Sequence, residues 1–218
     1  MKIYLDSCDV SEIIAYKDMG LVDGVTTNPS IIAKSGKNFK NVINDICAII
    51  DTSVSVEVIS TTYEEMLSEA EDLAKIADQI VIKLPVSKDG LKTCYTLSEK
   101  GISVNMTLCF SPAQALLAAK AGATYISPFI GRLDDMGRYG TDIIADICQI
   151  YQNYPDISTQ ILAASIRNPI HFIEVGKCGA DVITIPPKLM DLLIKNPLTE
   201  KGIDLFLEDW RDYNDKKM

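Results

Sequence analysis

The stretch Gln79-Ile-Val-Ile-Lys-Leu-Pro85 is a short run of branched apolar residues around one lysine, Lys83. Such a run is typical of a parallel strand that is buried on both faces. A lysine inside it is costly, because burial disfavours the charged form of an amine. The neutral form is also the one that attacks a carbonyl, and lowering the pKa of a lysine from about 10.4 to about 7–8 requires roughly 4 kcal/mol of differential desolvation. Alternatively, the lysine stem lines the sheet and its ammonium group reaches solvent.

Length and composition are those of an ordinary globular protein. The 218 residues suit one domain or two small ones, and they carry a net charge of −9. This acidic balance argues against nucleic acid or an anionic membrane as a partner. The six cysteines form no CxxC pair and have no metal-ligand spacing, which predicts reduced thiols in a cytoplasmic protein. The first residues already read as a strand, and no apolar stretch approaches the roughly 18 residues of a membrane span.

Predicted strands and helices alternate along the whole chain. The strands are expected at about residues 2–6, 23–28, 54–58, 79–85, 102–107, 124–127, 160–164 and 181–185. Strands that alternate with helices form parallel βαβ units, and in one domain of residues 1–218 they favour an α/β fold of the (β/α)8 TIM-barrel type. A doubly wound open sheet is the alternative, but the chain contains neither GxGxxG nor a linker. A C-terminal helix at about residues 199–213 is additional to the barrel.

Polar side chains share one face of several predicted strands. Ser55 and Glu57 alternate with valines, and Asn105 and Thr107 alternate with aliphatic residues. Because helices cover the outside of a barrel, the aliphatic faces are expected to point outward and the polar faces inward. The carboxyl ends of barrel strands are where active sites are built. The inward polar residues near those ends are Asp6, Asn28, Glu57, Lys83, Asn105, Thr107, Ser127 and Ser165.

The ionisable members of this set suggest catalytic roles. Lys83 is the candidate nucleophile for a Schiff base, whose formation and hydrolysis need a proton shuttle. The single histidine, His171, is predicted in a helix after the seventh strand, where a packing or surface role is the simpler interpretation. The shuttles are therefore expected to be the carboxylates of Asp6 and Glu57.

Two arginines follow the sixth and seventh predicted strands. Arg132 and Arg167 lie close to the place where barrels commonly hold phosphate. A pair of guanidinium groups there would suit bidentate phosphate binding. Each arginine, taken singly, is equally compatible with a surface salt bridge.

Six motifs resemble the transaldolase family in identity, order and spacing along nearly the whole chain. They are Leu5-Asp6-Ser7, Thr26-Thr-Asn-Pro-Ser30, Ile82-Lys-Leu-Pro85, Asn105-Met-Thr-Leu-Cys-Phe110, Ser127-Pro-Phe-Ile-Gly-Arg132 and Ala164-Ser-Ile-Arg-Asn168. The Thr-Thr-Asn-Pro-Ser run and the lysine of the fourth strand are specific to the family. The short length resembles the small-subunit branch, which includes the fructose-6-phosphate aldolases.

The resemblance implies a class I mechanism with no metal and no organic cofactor. Lys83 would form an imine with the ketose carbonyl of fructose 6-phosphate or sedoheptulose 7-phosphate. Asp6 would take the C4 hydroxyl proton, so that the aldose leaves and dihydroxyacetone stays as an enamine. Glu57, through a water positioned by Thr107, would move protons during imine formation and hydrolysis. Glyceraldehyde 3-phosphate or erythrose 4-phosphate would be the acceptor.

The resemblance also implies the residues that bind the sugar phosphate. Asn28, Asn105 and Ser127 would bind the dihydroxyacetone hydroxyls. Arg132, Ser165 and Arg167 would hold the phosphate. Small-molecule sugar phosphates are therefore the expected binding partners.

Two positions separate transaldolases from fructose-6-phosphate aldolases in the resembling families. The position of Phe129 carries phenylalanine in the former and tyrosine in the latter, and that of Glu57 carries glutamate or glutamine respectively. A phenol could hold a water that hydrolyses the intermediate, whereas a phenyl ring cannot. Both positions favour a transaldolase, although Phe129 could simply pack the barrel. The alternatives are an aldolase that releases free dihydroxyacetone and, remotely, a non-catalytic sugar-phosphate-binding barrel, which has no use for a buried lysine.

The predicted C-terminal helix carries large apolar residues outside the barrel. Leu205, Phe206, Leu207 and Trp210 would form an exposed apolar patch unless something covers them. The helix could fold back on its own barrel. The resemblance instead implies a ring-built homo-oligomer, a decamer or a pentamer, in which this helix packs on a neighbouring subunit.

Overall fold

Eight parallel strands close into a barrel in a computed structural model that describes residues 1–216. Residues 217 and 218 of the predicted domain lie outside the described residues. Each strand pairs with the next in sequence, and the last pairs with the first. The predicted (β/α)8 barrel is therefore confirmed. The strands are β1 Lys2–Asp6, β2 Gly24–Thr26, β3 Val54–Glu57, β4 Ile80–Pro85, β5 Val104–Cys109, β6 Tyr125–Pro128, β7 Gln160–Ala163 and β8 Val182–Ile185.

Helices surround the strands, and a further helix follows the barrel. The predicted C-terminal helix is confirmed and is longer than expected, because it runs over Pro197–Asp215. The five-residue helix Ile130–Asp134 was not predicted. The helices are α1 Val10–Asp18, α2 Pro29–Ser35, α3 Phe39–Ile49, α4 Tyr63–Ala74, α5 Lys88–Glu99, α6 Pro112–Lys120, α7 Ile130–Asp134, α8 Asp142–Gln152, α9 Pro169–Cys178, α10 Pro187–Ile194 and α11 Pro197–Asp215.

The aliphatic faces of the strands point outward, as the alternation predicts. Val56 in β3, Ile82 in β4 and Met106 in β5 are fully buried in the main apolar core. Helix residues such as Ile43 and Leu97 belong to the same cluster. The burial of this outer face stabilises the barrel and leaves its inner face free to carry polar groups.

The inner face is stacked in layers. Tyr4, Val81, Tyr125, Leu162 and Val182 form a separate buried apolar cluster. The hydroxyl groups of Tyr4 and Tyr125 lie 3.0 Å apart, and their rings meet edge to face. Because side chains alternate along a strand, the residues two positions further along these strands form the next layer, toward the carboxyl ends. The apolar cluster is thus the floor of a polar layer.

Glycine is required beside this floor. A Cβ atom on Gly24 would lie 2.7 Å from Cε1 of Tyr4 and 2.8 Å from the carbonyl oxygen of Ser53. Burial raises the pKa of the Tyr4 phenol, so the ring is held as a neutral packing group. In the part of the chain that the structure describes, no helix combines the length and the apolar character needed to cross a membrane.

Candidate active site

Lys83 lies inside the barrel, near the carboxyl end of β4. Only 6% of the residue is exposed. Its Nζ atom lies 3.0 Å from Oε2 of Glu57 and donates a hydrogen bond of 3.2 Å to the carbonyl oxygen of Thr27. Lys83 and Glu57 are register partners across β4 and β3, which accounts for the contact. The alternative in which the ammonium group reaches solvent is therefore wrong.

Asp6 ends β1 and faces the same interior. Its Oδ1 atom accepts a hydrogen bond of 2.9 Å from the hydroxyl of Thr26, its register partner on β2. Desolvation raises the pKa of the Asp6 carboxyl group above its usual value. Nearby Lys83 and the Thr26 hydroxyl oppose that rise, whereas the charge of Glu57 adds to it. A carboxyl group with a raised pKa is suited to carrying a proton during a reaction.

A buried hydrogen-bond chain crosses three strands next to Lys83. Ser127 of β6 donates a bond of 2.7 Å to Oδ1 of Asn105, which is the register partner of Lys83 on β5. The amide nitrogen of Asn105 donates in turn to Ser55 of β3 at 3.2 Å. These bonds fix the orientation of the amide, and with it the donors and acceptors that face the interior.

The strand that carries Asn105 is irregular just beyond it. The register between β5 and β6 shifts between Met106 and Cys109, and Leu108 has a φ of 58°. A positive φ is uncommon for a residue other than glycine, and bulges of this kind occur next to active sites. Thr107 lies within the irregular stretch and is fully buried. Its hydroxyl has no hydrogen-bond partner within residues 1–216.

Asn28 both caps a helix and lines the interior of the site. Its Oδ1 atom accepts a bond of 3.0 Å from the amide of Ile31 and thereby caps α2, which begins at Pro29. The cap uses the oxygen of the side chain. The NH2 group is left as the hydrogen-bond donor that the side chain can offer to a ligand.

A cavity of about 190 Å³ lies at the carboxyl ends of the strands. It is lined by most of the predicted site residues. Its lining also includes Thr26 and Ala164, which lie in the family motifs but were given no role, and Thr184, which the sequence did not single out. Of the other predicted residues, Glu57 contacts Lys83, and Thr107 is buried in the irregular stretch of β5. The lining residues are Asp6, Thr26, Asn28, Lys83, Asn105, Ser127, Phe129, Arg132, Ala164, Ser165 and Thr184.

The two predicted arginines occupy different positions. Arg132 lines the cavity, with its guanidinium carbon 5.0 Å from the centre of the Phe129 ring. Arg167 does not belong to the lining. Both of its Nη atoms bind the carboxylate of Asp135 at the end of α7, with Nη2 at 2.6 Å from Oδ2. The structure therefore places one of the two predicted guanidinium groups in the cavity lining, whereas a carboxylate outside the lining holds the other.

The backbone next to these arginines leaves little free space. Ser165 lines the cavity with a φ of 58°, and its carbonyl oxygen accepts a bond of 2.9 Å from the amide of Gly131. The side chain of Arg167 passes over Gly131, where a Cβ atom would lie 2.7 Å from Cδ of the arginine. Only glycine leaves room for this path.

His171 lies in α9, as predicted, and outside the cavity lining. Its Nε2 atom lies 2.9 Å from Oδ2 of Asp134, and its Nδ1 atom accepts a long bond of 3.4 Å from the Arg167 amide. These partners assign the proton of the neutral ring to Nε2. His171 therefore ties α9 to α7. Residues 1–216 contain no group of three or more His, Cys, Asp or Glu side chains arranged to hold a metal ion.

The fold and the cavity define a (β/α)8-barrel protein with a buried lysine and two carboxyl groups at the carboxyl end of the barrel. Residues 3–217 match the family described as transaldolase/fructose-6-phosphate aldolase, and the chain belongs to this family. The resemblance drawn from the six motifs is thereby confirmed.

Relatives that are named as transaldolases align with almost the whole chain. A protein of Brucella anthropi named "Probable transaldolase" is 58% identical over 96% of this chain and 96% of its own length. A protein of Caldicellulosiruptor saccharolyticus with the same name is 55% identical over 96% of this chain and 97% of its own. The protein of Nitrosopumilus maritimus with that name is 50% identical over 96% and 95%.

Proposed function

We propose that this protein is a transaldolase that works through an imine on Lys83. It transfers a dihydroxyacetone unit from fructose 6-phosphate or sedoheptulose 7-phosphate to glyceraldehyde 3-phosphate or erythrose 4-phosphate. The observation that carries the proposal is the buried contact of 3.0 Å between Lys83 Nζ and Glu57 Oε2 in the cavity region. Family membership and the names of the relatives support the same activity.

Imine formation uses Lys83 and Glu57. Glu57 Oε2 is close enough to take a proton from Nζ, which leaves the neutral amine that attacks the ketose C2. The carbonyl oxygen then leaves as water after it has gained two protons. The Thr107 hydroxyl is buried and has no hydrogen-bond partner in the described residues. This supports the proposal that Thr107 positions a water for the proton transfer.

Carbon–carbon cleavage uses Asp6. Its carboxylate takes the proton of the C4 hydroxyl, and the C3–C4 bond breaks as the C4–O bond becomes a carbonyl. The electron pair of the broken bond moves to C3 and into the protonated imine, which becomes an enamine. The aldose leaves, and the acceptor aldehyde then reacts by the reverse steps. The raised pKa of Asp6 suits a group that must accept this proton and later return it.

Neutral polar groups are proposed to hold the dihydroxyacetone unit. The donor NH2 of Asn28 and the fixed pair of Asn105 and Ser127 line the cavity beside Lys83. Because Ser127 donates to Asn105, its oxygen is left to accept a bond from a substrate hydroxyl. Hydrogen bonds of this kind position the ketose C2 for attack without placing another charge near Lys83.

The phosphate is proposed to lie at the rim formed by Arg132, Ser165 and Arg167. Arg132 and Ser165 already line the cavity. Arg167 would have to exchange Asp135 for the phosphate, and both partners suit a planar guanidinium group. Arg167 and Asp135 are about half exposed, at 46% and 57% of their side chains, so the exchange costs little desolvation.

An aldolase that releases free dihydroxyacetone is the second candidate, because the family description names both activities. Phe129 favours the transferase. Its ring lines the cavity, meets Phe110 edge to face at 5.9 Å, and lies beside the guanidinium group of Arg132. A phenyl ring cannot orient a water toward the enamine, so the intermediate waits for an aldehyde.

Product analysis tests this assignment. Fructose 6-phosphate should yield little free dihydroxyacetone by itself, and addition of erythrose 4-phosphate should yield sedoheptulose 7-phosphate and glyceraldehyde 3-phosphate. Free dihydroxyacetone formed at the same rate without an acceptor would favour the aldolase. Binding with no product in either case would favour the non-catalytic barrel.

The protein is further proposed to act as a homo-oligomer, a pentamer or a decamer, in the cytoplasm. No residue of α11 is buried, and its apolar side chains include Phe206 at 75% and Trp210 at 62% exposure. Packing of α11 on a neighbouring subunit would cover this surface. All six cysteines are free, and burial raises the pKa of the Cys94 thiol to about 12, which suits reduced structural thiols.

A further inference from the structure

Two buried threonines connect to Asp6 inside the barrel, and the reaction described above does not use them. The hydroxyl oxygen of Thr26 lies 2.9 Å from Oδ1 of Asp6 and 2.6 Å from the hydroxyl oxygen of Thr184. Thr26 ends β2 and Thr184 lies in β8, so they come from the two strands that flank β1. Both residues are at most 5% exposed, and both line the cavity.

The number of hydroxyl protons fixes the direction of these hydrogen bonds. An ionised carboxylate can only accept, so the single hydroxyl proton of Thr26 must point at Asp6. The contact of 2.6 Å between the two threonines must then use the proton of Thr184. Thr184 therefore donates to Thr26, and Thr26 donates to Asp6. A hydroxyl group that itself accepts a hydrogen bond is a stronger donor, so Thr184 strengthens the bond that Thr26 makes.

We propose that Thr26 and Thr184 are positioning residues for Asp6, which hold its Oδ1 atom and leave Oδ2 to take the substrate proton. This inference rests on the proposed function, because it assumes that Asp6 removes a hydroxyl proton. Thr26 and Thr184 touch the reaction only through Asp6.

The two hydrogen bonds also favour Oδ2 as the atom that takes the proton. A proton that entered Oδ1 on the side of Thr26 would turn the Thr26 hydroxyl toward Thr184. Thr184 would then have to turn its own proton away from Thr26. Protonation of Oδ2 leaves both bonds in place, so it requires no reorganisation at the moment of reaction.

The same bonds favour the ionised form of Asp6 that the reaction needs. The Thr26 hydroxyl lowers the pKa of Asp6 and so opposes the rise that desolvation causes. Loss of this bond should raise the pKa of Asp6 further. As the pH falls, the base form of Asp6 would then be lost at a higher pH. A residue that only fills space would not move the pH profile in this way.

The test compares isosteric and conservative variants. Thr26→Val and Thr184→Val remove each hydroxyl group, whereas Thr26→Ser and Thr184→Ser keep it. Thr159→Val is the matched control, because Thr159 is also buried and its hydroxyl donates to the carbonyl oxygen of Ala123 at 2.6 Å, outside the cavity lining. The readouts are transfer kcat as a function of pH and borohydride trapping of the imine with fructose 6-phosphate.

Thr26→Val should lower kcat by roughly tenfold and move the acidic limb of the profile to higher pH. Thr184→Val should act in the same direction and more weakly, because Thr26 still donates. Both serine variants should restore the wild-type profile, and the control should leave it unchanged. Imine trapping on Lys83 should persist throughout, since these residues act on the later cleavage step.

A folded Thr26→Val protein with the acidic limb in its wild-type place would overturn the proposal, even if its kcat had fallen. If Thr26→Val does not fold, an unmoved limb in Thr184→Val together with wild-type kcat would overturn it. Failure of the proposed function would look different, because the wild-type protein itself would then trap no imine. That result would remove the role of Asp6 and this inference with it.

Discussion

At the scale of single residues, the register of β3 and β4 brings Glu57 into contact with Lys83. The two residues are partners across β3 and β4, and Glu57 lies 3.0 Å from the amine. Taking two opposite charges out of water is costly, and removing one of them leaves the other uncompensated. The carbonyl oxygen of Thr27 is a further partner for the amine. Each residue therefore compensates the charge of the other, and Glu57 is placed to exchange a proton with the proposed nucleophile.

Asp6→Asn should separate imine formation from bond cleavage. The amide oxygen can still accept the bond from Thr26, but the side chain can no longer act as a base. Cleavage should slow by roughly 10²–10⁴-fold, the usual contribution of a placed acid–base group. Imine trapping with borohydride should remain largely intact. A variant that formed no imine would contradict the division of labour between Asp6 and Glu57.

The same variant should change stability in a pH-dependent way. Desolvation raises the pKa of Asp6 in the folded protein, so the folded state binds its proton more tightly than the unfolded chain does. Stability is therefore lost as the pH rises from the ordinary carboxyl pKa of about 3.9 through the raised value. Asp6→Asn should melt at a higher temperature than wild type at pH 7. That difference should shrink near pH 4, and a lower melting temperature at pH 7 would contradict the expectation.

Phe129→Tyr should increase release of free dihydroxyacetone at the expense of transfer. The added hydroxyl would face the cavity and could orient a water toward the enamine. Phe110→Tyr is the matched control, because Phe110 contacts the Phe129 ring but does not line the cavity. Product ratios with and without erythrose 4-phosphate measure the effect. An unchanged ratio in Phe129→Tyr, or an equal change in the control, would contradict it.

At the scale of secondary structure elements, the sequence predicts the strands well because their outer faces are aliphatic. The predicted fifth strand, residues 102–107, begins and ends two residues before β5, Val104–Cys109. The two residues missed at its end include Leu108, whose irregular backbone lies where the pairing with β6 shifts and has no local signal. The five-residue α7 is also too short to show a helical period.

The candidate site was likewise predictable from the sequence only in part. Alternation along each strand predicts that residues such as Lys83 and Asn105 face inward. The partners of these residues depend on register and on distant loops, which the sequence does not reveal. Thr26 was part of a quoted motif, and its link to Asp6 became visible only through the pairing of β1 with β2. The pairing of Arg167 with Asp135 likewise depends on α7, which was not predicted.

Asp135→Asn should strengthen phosphate binding by freeing Arg167. Arg167 holds the pKa of the Asp135 carboxyl below its usual value, so the pair persists at neutral pH and competes with a phosphate. Exposed ion pairs are weak because water screens them, so KM for phosphorylated donors should fall only by roughly two- to fivefold. Asp72→Asn, which removes the exposed pair with Lys75, is the matched control. An unchanged or higher KM, or an equal fall with an unphosphorylated donor, would contradict the competition.

At the scale of the whole molecule, the net charge is negative, whereas the site contains cationic side chains. The chain has a net charge of −9, yet the cavity lining includes Lys83 and Arg132, with Arg167 nearby. Overall steering of an anionic substrate is therefore weak. Recognition of a sugar phosphate must come from these few placed cations.

Removal of the residues after Pro197 should reduce the size of the assembly. Helix α11 has no buried residue, and Phe206 and Trp210 expose most of their surface. Light scattering should report a smaller mass than for the full chain. The point variant Phe206→Glu, which keeps the helix, should weaken the assembly in the same direction. An unaltered mass in both variants would show that α11 does not hold subunits together.

Borohydride reduction in the presence of fructose 6-phosphate tests whether Lys83 forms the imine. We expect a stable mass gain on the peptide that contains Lys83, with loss of transfer activity, and no gain in Lys83→Met. Reduction of the imine joins the sugar carbon to Nζ irreversibly, so peptide mapping identifies the residue. A protein that gains no mass, or that gains it on a lysine other than Lys83, would contradict the proposed role of Lys83.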